Sequence, residues 1–358
     1  MRKDPVSTRE PRLLSLAVAE APHPVSQAEV AEHVGALFEG ADFDVGESLA
    51  VFANAGIRRR TLALPLDAYF AGLGPELRNR HFLGVAGQML SDAAERAVPP
   101  ALRSRVTHIV TVCSSGIATP SLECGVIEDL GLAPDARRIP VFGLGCAGGV
   151  AGLAIARDLA RSAPEALVLV LCVELTSLTL LTEDKSLRNF VACALFGDGA
   201  AAALVAGGDV EGRALGTLGP GRTRLFPETR ALMGWDVRDR GWRVVFSPRI
   251  PGVVRRNARE LVAELADGRA IRHFVLHPGG QKILDAYREA LLLSEEDLAP
   301  AAMTLADYGN MSAVTVLFVL DRILRAPGFR PGPGLLTAFG PGFTAELLRV
   351  ELGRGAGG

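Results

Sequence analysis

Three side chains in this sequence have the types and settings for acyl chemistry: a cysteine, a histidine and an asparagine. Cys146 lies in I-P-V-F-G-L-G-C-A-G-G, residues 139–149. The run ending at Phe142 reads as a buried strand. Gly143 and Gly145 permit a tight turn, and V-A-G-L-A-I-A-R-D-L-A-R reads as the helix that follows. A thiol at such a helix start faces exposed N–H groups and the positive end of the dipole, which favour thiolate. The alternative is a structural cysteine buried in a Gly-rich turn. A reactive thiol needs an imidazole partner. Of the six histidines, His23, His33, His81 and His108 lie in unpromising settings, while His273 and His277 share the strand I-R-H-F-V-L-H. Their equal parity puts both on one face, about 13 Å apart at ~3.3 Å per residue, so only one can reach a given sulfur. His277 ends that strand beside P-G-G, where open α/β sheets place their sites. His273 reads as structural or surface. Asn310, before a buried apolar helix, is either an N-cap or an amide donor to an oxyanion.

The elements that must position these groups follow from composition and pattern. The chain has 358 residues, 49% of them hydrophobic, enough for one large or two moderate domains. Its net charge of -2 gives no support to nucleic-acid binding. Five cysteines, an odd number without a C-x-x-C pair, argue against a disulfide framework or zinc site and fit a reducing cytoplasm. The N-terminus lacks a signal-peptide core, and no apolar run reaches the ~18 residues of a membrane span. The expected location is cytoplasmic.

Residues 1–11 read as a frayed arm. Ser26 and Glu29 form a capping box for a helix whose Val30, Val34, Leu37 and Phe38 face the core. Arg58, Arg59 and Arg60 could meet phosphates or form a solvated face. A helix is expected over 82–97, a strand over 108–113, then S-S-G and a helix to Leu130. Residues 166–174 form a continuous apolar run, as a strand buried on both faces should. The alternation argues for an α/β fold. The pattern restarts near residue 213, with the strand 271–277, a helix from Gln281, the buried helix after Asn310 and the strand 335–339. F-G-D-G-A-A-A-A-L-V and F-G-P-G-F-T-A-E-L-L-R-V each set a Gly-x-Gly turn before a strand, which suggests an internal duplication. Phe196 and Phe339 precede those turns and would line a pocket or fill the core.

Taken together, G-L-G-C-A-G-G, L-F-G-D-G-A-A-A, H-P-G-G, Y-G-N-M-S-A and F-G-P-G-F-T-x-E, in this order across residues 12–352, resemble the type III polyketide synthases, the chalcone/stilbene synthase family. That resemblance implies a thiolase-like α/β fold, an αβαβα sandwich of two similar halves, 1–212 and 213–358, working as a homodimer. It implies Cys146 as the nucleophile carrying the acyl chain. His277 would hold it as thiolate and, with Asn310, orient a thioester carbonyl during malonyl decarboxylation. Phe196 would be a gatekeeper. Acyl-CoA and malonyl-CoA would be substrates, with no cofactor or metal. Of the basic residues that plant members use for CoA phosphates, only Arg58–Arg60 align. Ala338 replaces a Gly, Val244 replaces a second gatekeeper Phe, and Thr119 falls where a larger residue crosses the dimer interface. V-E-L-T-S-L-T (173–179) and M-G-W-D-V (233–237) look like bacterial members that take fatty acyl starters to alkylresorcinols or alkylpyrones. Pocket candidates are then Ser115, Thr119, Thr176, Thr179, Trp235, Val244, Ser312 and Phe339. The competing readings are an initiating β-ketoacyl-carrier-protein synthase, a cysteine hydrolase and an idle thiolase-fold binding protein.

Overall fold

A computed structural model describes residues 10–239 and 241–353. The first half runs β1 (Arg12–Glu20), β2 (His23–Ser26), α1 (Gln27–Leu37), α2 (Val45–Ser48), α3 (Ala50–Asn54), β3 (Arg59–Leu62), α4 (Pro75–Ala97), β4 (His108–Val112), α5 (Glu123–Leu130), β5 (Arg137–Val141), α6 (Gly148–Ser162), β6 (Leu167–Leu175), α7 (Leu187–Leu195) and β7 (Asp198–Ala206). The second runs β8 (Gly216–Leu225), β9 (Met233–Arg238), β10 (Gly241–Phe246), α8 (Ile250–Ala266), β11 (His273–Leu276), α9 (Gln281–Leu291), α10 (Glu295–Tyr308), α11 (Thr315–Arg325), β12 (Gly332–Gly340) and β13 (Thr344–Leu352).

Nine strands form one sheet in the order β5-β4-β6-β7-β1-β8-β13-β12-β11. The order repeats itself about the β1–β8 seam. β7 is antiparallel to both β6 and β1, and β13 is antiparallel to both β12 and β8. The seam itself is narrow, with only Arg12↔Thr217 and Leu13↔Gly216 in register. Each Gly-x-Gly turn therefore leads into the equivalent strand of its half. α6 and α11 pack between the two halves of the sheet, α4 covers the outer face of the first and α8 that of the second. Helix, sheet, helix, sheet, helix is the layering that the motifs implied. Every residue of β6 and β7 is buried, because helices cover both faces there.

The capping box at α1 is present, with Ser26 and Glu29 each accepting from the other's backbone N–H. The helix expected over 82–97 starts earlier, at Pro75. Three expectations change. The strand before Cys146 is not buried: β5 is a sheet edge paired only with β4, and Phe142 is 64% exposed. Pro140 is tolerated there because an edge strand need not donate. Second, no element was read before Ser26, yet β1 is the central strand joining both halves. Third, the β9–β10 hairpin and α8, which build one wall of the site, were not anticipated. The arm expected over 1–11 falls mostly on residues outside those described. Among the described residues no helix is long and apolar enough to cross a membrane.

Candidate active site

Cys146 sits in a helical turn, Gly145–Ala147, that leads into α6. Gly145 has φ +46, and a Cβ there would lie 2.7 Å from Cδ of Pro341 in the F-G-P-G turn. Glycine is required on both counts. The matching turn, Ser312–Val314, leads into α11, and Ser312 shares the positive φ at +48. The two turns pack together because Gly149 is bare: a Cβ there would stand 2.1 Å from the Ala313 carbonyl oxygen. The duplicated architecture thus brings the starts of its two central helices to one point.

His277 follows β11, its N–H donating to the Thr337 carbonyl at 2.9 Å. Its ring is buried, and neither Nδ1 nor Nε2 has a hydrogen-bond partner. Asn310 is fixed on every side. Its N–H donates to Leu195 O at 2.8 Å and its carbonyl accepts from Gly197 N at 3.0 Å. Its Oδ1 accepts from Ser312 N at 2.9 Å, and its Nδ2 donates to Gly279 O at 3.1 Å. Asn310 is not the N-cap of the following turn or of α11, but its side-chain oxygen holds the start of that turn, and the same contact fixes the direction of the amide. Cys146, His277 and Asn310 line one cavity, whose other walls include Met233, Phe246, Tyr287 and Phe339.

The electrostatics correct one expectation. Burial pushes the Cys146 thiol up to about 11, against hydrogen bonds with Ser312 and Asn310 that pull it down. In the closed cavity, loss of water outweighs the helix start, so the resting group is a thiol. Burial likewise pulls His277 down to about 3, leaving a neutral imidazole. Sequence reasoning missed Glu174. It is wholly buried, and burial pushes it up to about 7 against hydrogen bonds from Ser115, Ser114 and Ser312. Ser312 therefore bonds to both Cys146 and Glu174. The available signal was a lone carboxylate ending the apolar run 166–174.

The other candidates divide among neighbouring hollows. Phe196, Thr176, Thr179, Trp235 and Val244 line a second one. Phe196 also forms a backbone bridge with Asn310, so the two segments are tied together. Along the hairpin, Met233↔Phe246 and Trp235↔Val244 are paired two residues apart, hence on one face. The first pair lines the Cys146 cavity and the second lines the hollow beside Phe196. Trp235 lies 6.2 Å from Phe196 between ring centroids and donates to Ser114 O at 3.1 Å. Ser115 lines a third hollow with Thr179 and Trp242. Thr119 lines none of these; it is exposed on the loop before α5.

Arg58–Arg60 do not form a phosphate cluster. Within β3 Arg60 turns inward, where it is 1% exposed. It donates to Cys193 O at 2.8 Å and Phe196 O at 2.6 Å, as well as to Ala194 O and Gln27. It caps the end of α7 and so holds the Phe196 segment. Arg58 pairs with Asp307 at 2.7 Å, and Arg59 is exposed and has no ion pair among the described residues. His273 is structural, its Nε2 bonding to Arg330 O at 2.8 Å. Among the described residues no group of three or more His, Cys, Asp or Glu side chains could hold a metal ion.

A buried Cys–His–Asn trio at the junction of duplicated α/β halves suits a carbon–carbon condensing enzyme. Comparison with known proteins agrees. Residues 76–209 match the family model for the N-terminal domain of chalcone and stilbene synthases, and residues 220–352 match that for the C-terminal domain. The chain is 38% identical to a 1,3,6,8-tetrahydroxynaphthalene synthase of Streptomyces peucetius subsp. caesius, covering 92% of this chain and 90% of that one. It is 32% identical to a 3,5-dihydroxyphenylacetyl-CoA synthase of Amycolatopsis balhimycina, covering 84% of each. It superposes on the crystal structure of a 1,3,6,8-tetrahydroxynaphthalene synthase from Streptomyces coelicolor A3(2) with a TM-score of 0.86, at 28% identity, over 95% of this chain and 99% of that one. The chain belongs to the chalcone and stilbene synthase family. It is a type III polyketide synthase, an acyltransferase that lengthens a chain by decarboxylating condensation, and its fold is thiolase-like.

Proposed function

We propose that this synthase loads a fatty acyl starter from CoA onto Cys146, extends it with malonyl-CoA and cyclises the product to an alkylresorcinol or alkylpyrone. In loading, the Cys146 sulfur bonds to the thioester carbon while its proton passes to His277, which returns it to the departing CoA thiolate. Malonyl-CoA then loses CO₂, and its electron pair is left on an enolate whose oxygen accepts hydrogen bonds from His277 and the Asn310 amide. That carbanion attacks the acyl group, the Cys146 sulfur leaves, and the chain on CoA is two carbons longer. Decarboxylation needs a place for negative charge rather than an acid or base, so two aimed donors suffice without a metal or cofactor. The residues work as two similar halves, 1–212 and 213–358, in a cytoplasmic homodimer. The exposed edge strand β5, with Phe142 beside it, suits a self-pairing surface.

The observation that supports the starter assignment is the apolar lining of the hollow beside Phe196, which includes Val30, Val34, Leu62 and Phe70. A hydrocarbon tail there gains about 0.8 kcal/mol per buried methylene, a gradient that favours longer chains. Likeness to tetrahydroxynaphthalene synthases supports a second reading, an aromatic product of that kind. Incubation with malonyl-CoA and acyl-CoAs of graded length, with products identified by mass spectrometry, separates them. We expect extended products from fatty acyl starters, and Val244→Phe should shift the preferred starter to shorter chains. Products from malonyl-CoA alone at equal yield would favour the second reading. A single condensation would indicate an initiating synthase, and a free acid a hydrolase.

A further inference from the structure

Among the side chains lining the Cys146 cavity, only Cys146, His277, Asn310 and Tyr287 carry N–H, O–H or S–H groups. Tyr287 lies on α9 one turn beyond Ile283, and both face the cavity. Its side chain is fully buried, yet its hydroxyl has no hydrogen-bond partner among the described residues. The chain's other two tyrosines are bonded: Tyr69 accepts from Leu64 N at 3.1 Å and lies 2.6 Å from Ser177 Oγ, and Tyr308 donates to Glu20 Oε1 at 2.9 Å. Burial pushes the Tyr287 phenol above its usual value, with Thr337 pulling it down and Cys146 pushing it up. The hydroxyl is thus within electrostatic range of the thiol, and Thr337 acts on it without a hydrogen bond of normal geometry. The ring packs on Phe339 at 6.1 Å between centroids, a place that Phe would fill equally well, and an unmet buried O–H is costly. In this cavity only His277 shares that condition, and the scheme above gives its ring to substrate.

The same scheme leaves one oxygen without a donor. The neutral His277 ring has one N–H to offer, and the Asn310 amide has one beyond that given to Gly279 O. Both go to the enolate oxygen of the malonyl unit. The carbonyl oxygen of the acyl group on Cys146 becomes negative when the enolate carbon bonds to the acyl carbon and the C=O pair moves to oxygen. A donor must hold that charge until the pair returns and the C–S bond breaks. The same oxygen is charged during loading, when the sulfur adds and the CoA thiolate leaves. A phenol that burial keeps protonated can donate there without giving up its proton.

We propose that Tyr287 is a further catalytic residue, its hydroxyl donating to the carbonyl oxygen of the acyl group held on Cys146 in loading and again in condensation. The assignment rests on the acyl-Cys146 reading above. Its test is Tyr287→Phe. Acyl transfer from a fatty acyl-CoA to Cys146, and condensation of the acyl-enzyme with malonyl-CoA, should each fall ~10²-fold. CO₂ release from malonyl-CoA alone should be unmoved, because His277 and Asn310 hold that enolate. The free protein should unfold at the same temperature or higher, since no hydrogen bond is lost. With a carbon-13-labelled acyl group, the carbonyl stretch of the acyl-enzyme should move to higher frequency in the variant. An equal loss of loading, condensation and CO₂ release, or a clear drop in Tm, would make Tyr287 a structural residue and overturn the assignment. Unchanged loading and condensation would do the same. If both proteins form the adduct with the same carbonyl stretch, the Tyr287 assignment fails and the acyl-Cys146 reading stands. If the unaltered enzyme forms no adduct on Cys146, that reading fails and takes the assignment with it.

Discussion

Replacing His277 by Ala tests whether the imidazole makes the nucleophile. Burial holds the Cys146 thiol at about 11 even with its bonds to Ser312 and Asn310 in place. At pH 7 such a thiol is about 10⁻⁴ ionised. Burial also holds the His277 ring neutral, down to about 3. Each group alone resists charge, but moving one proton from sulfur to ring creates no net charge in the cavity, and the opposite charges attract strongly there. Neither ring nitrogen has a hydrogen-bond partner, so whichever one is unprotonated is free to accept it. In the unaltered enzyme, iodoacetamide should therefore modify Cys146 with a pH midpoint well below 11. In His277→Ala the midpoint should rise to about 11, and the rate at pH 7 should fall by about 10²-fold or more. Peptide mass spectrometry across pH reads this out, with Cys124 on α5 as an internal reference whose profile should not move. Superimposable Cys146 profiles in the two proteins would refute the reasoning, since the thiol would then ionise without the ring.

Two further outcomes follow from the same cavity. Asn310→Ala removes the amide that bonds Gly279 O and Ser312 N, so CO₂ release from malonyl-CoA should fall ~10²–10³-fold while acyl loading of Cys146 largely survives; equal loss of both steps would contradict the donor role. Burial keeps Glu174 protonated in the folded protein up to about 7, whereas the usual value is 4.5. Between those pH values the unfolded chain has released a proton that the native state retains, so stability falls as pH rises. Glu174→Gln should flatten that part of the stability–pH curve relative to the parent, with the same-sign contributions of Asp198 and Glu346 common to both. An unchanged slope in chemical denaturation would count against a protonated Glu174.

The meeting of Cys146, His277 and Asn310 at one cavity was legible because each member sits where backbone geometry is constrained. Gly145 beside Cys146, the P-G-G after His277 and Gly309 before Asn310 mark turns that few residues can make. The echo of two Gly-x-Gly turns likewise announced the duplicated strands β7 and β13. Burial was harder to read. Arg58, Arg59 and Arg60 look alike in sequence, but Arg58 precedes β3, Arg59 is exposed on it and only Arg60 turns inward, and only the fold shows that α7 ends over it. The run before Cys146 is apolar, yet β5 is an edge because the chain supplies it with one neighbour. Glu174 reads as the polar end of a strand until Ser312, 138 positions later, is brought against it by the packing of α11. The hairpin that lines the hollows carries Gly and Arg between its aromatics, which hid its alternation.

The account stands on Cys146 carrying the chain. The most direct measurement is to mix the enzyme with a fatty acyl-CoA alone, quench, digest and weigh the peptides. The acyl mass should appear on the peptide holding Cys146, disappear on a chase with malonyl-CoA, and be absent from Cys146→Ala. Extended products formed while Cys146 stays unmodified, or an acyl group carried on Cys113, Cys124, Cys172 or Cys193 instead, would contradict it.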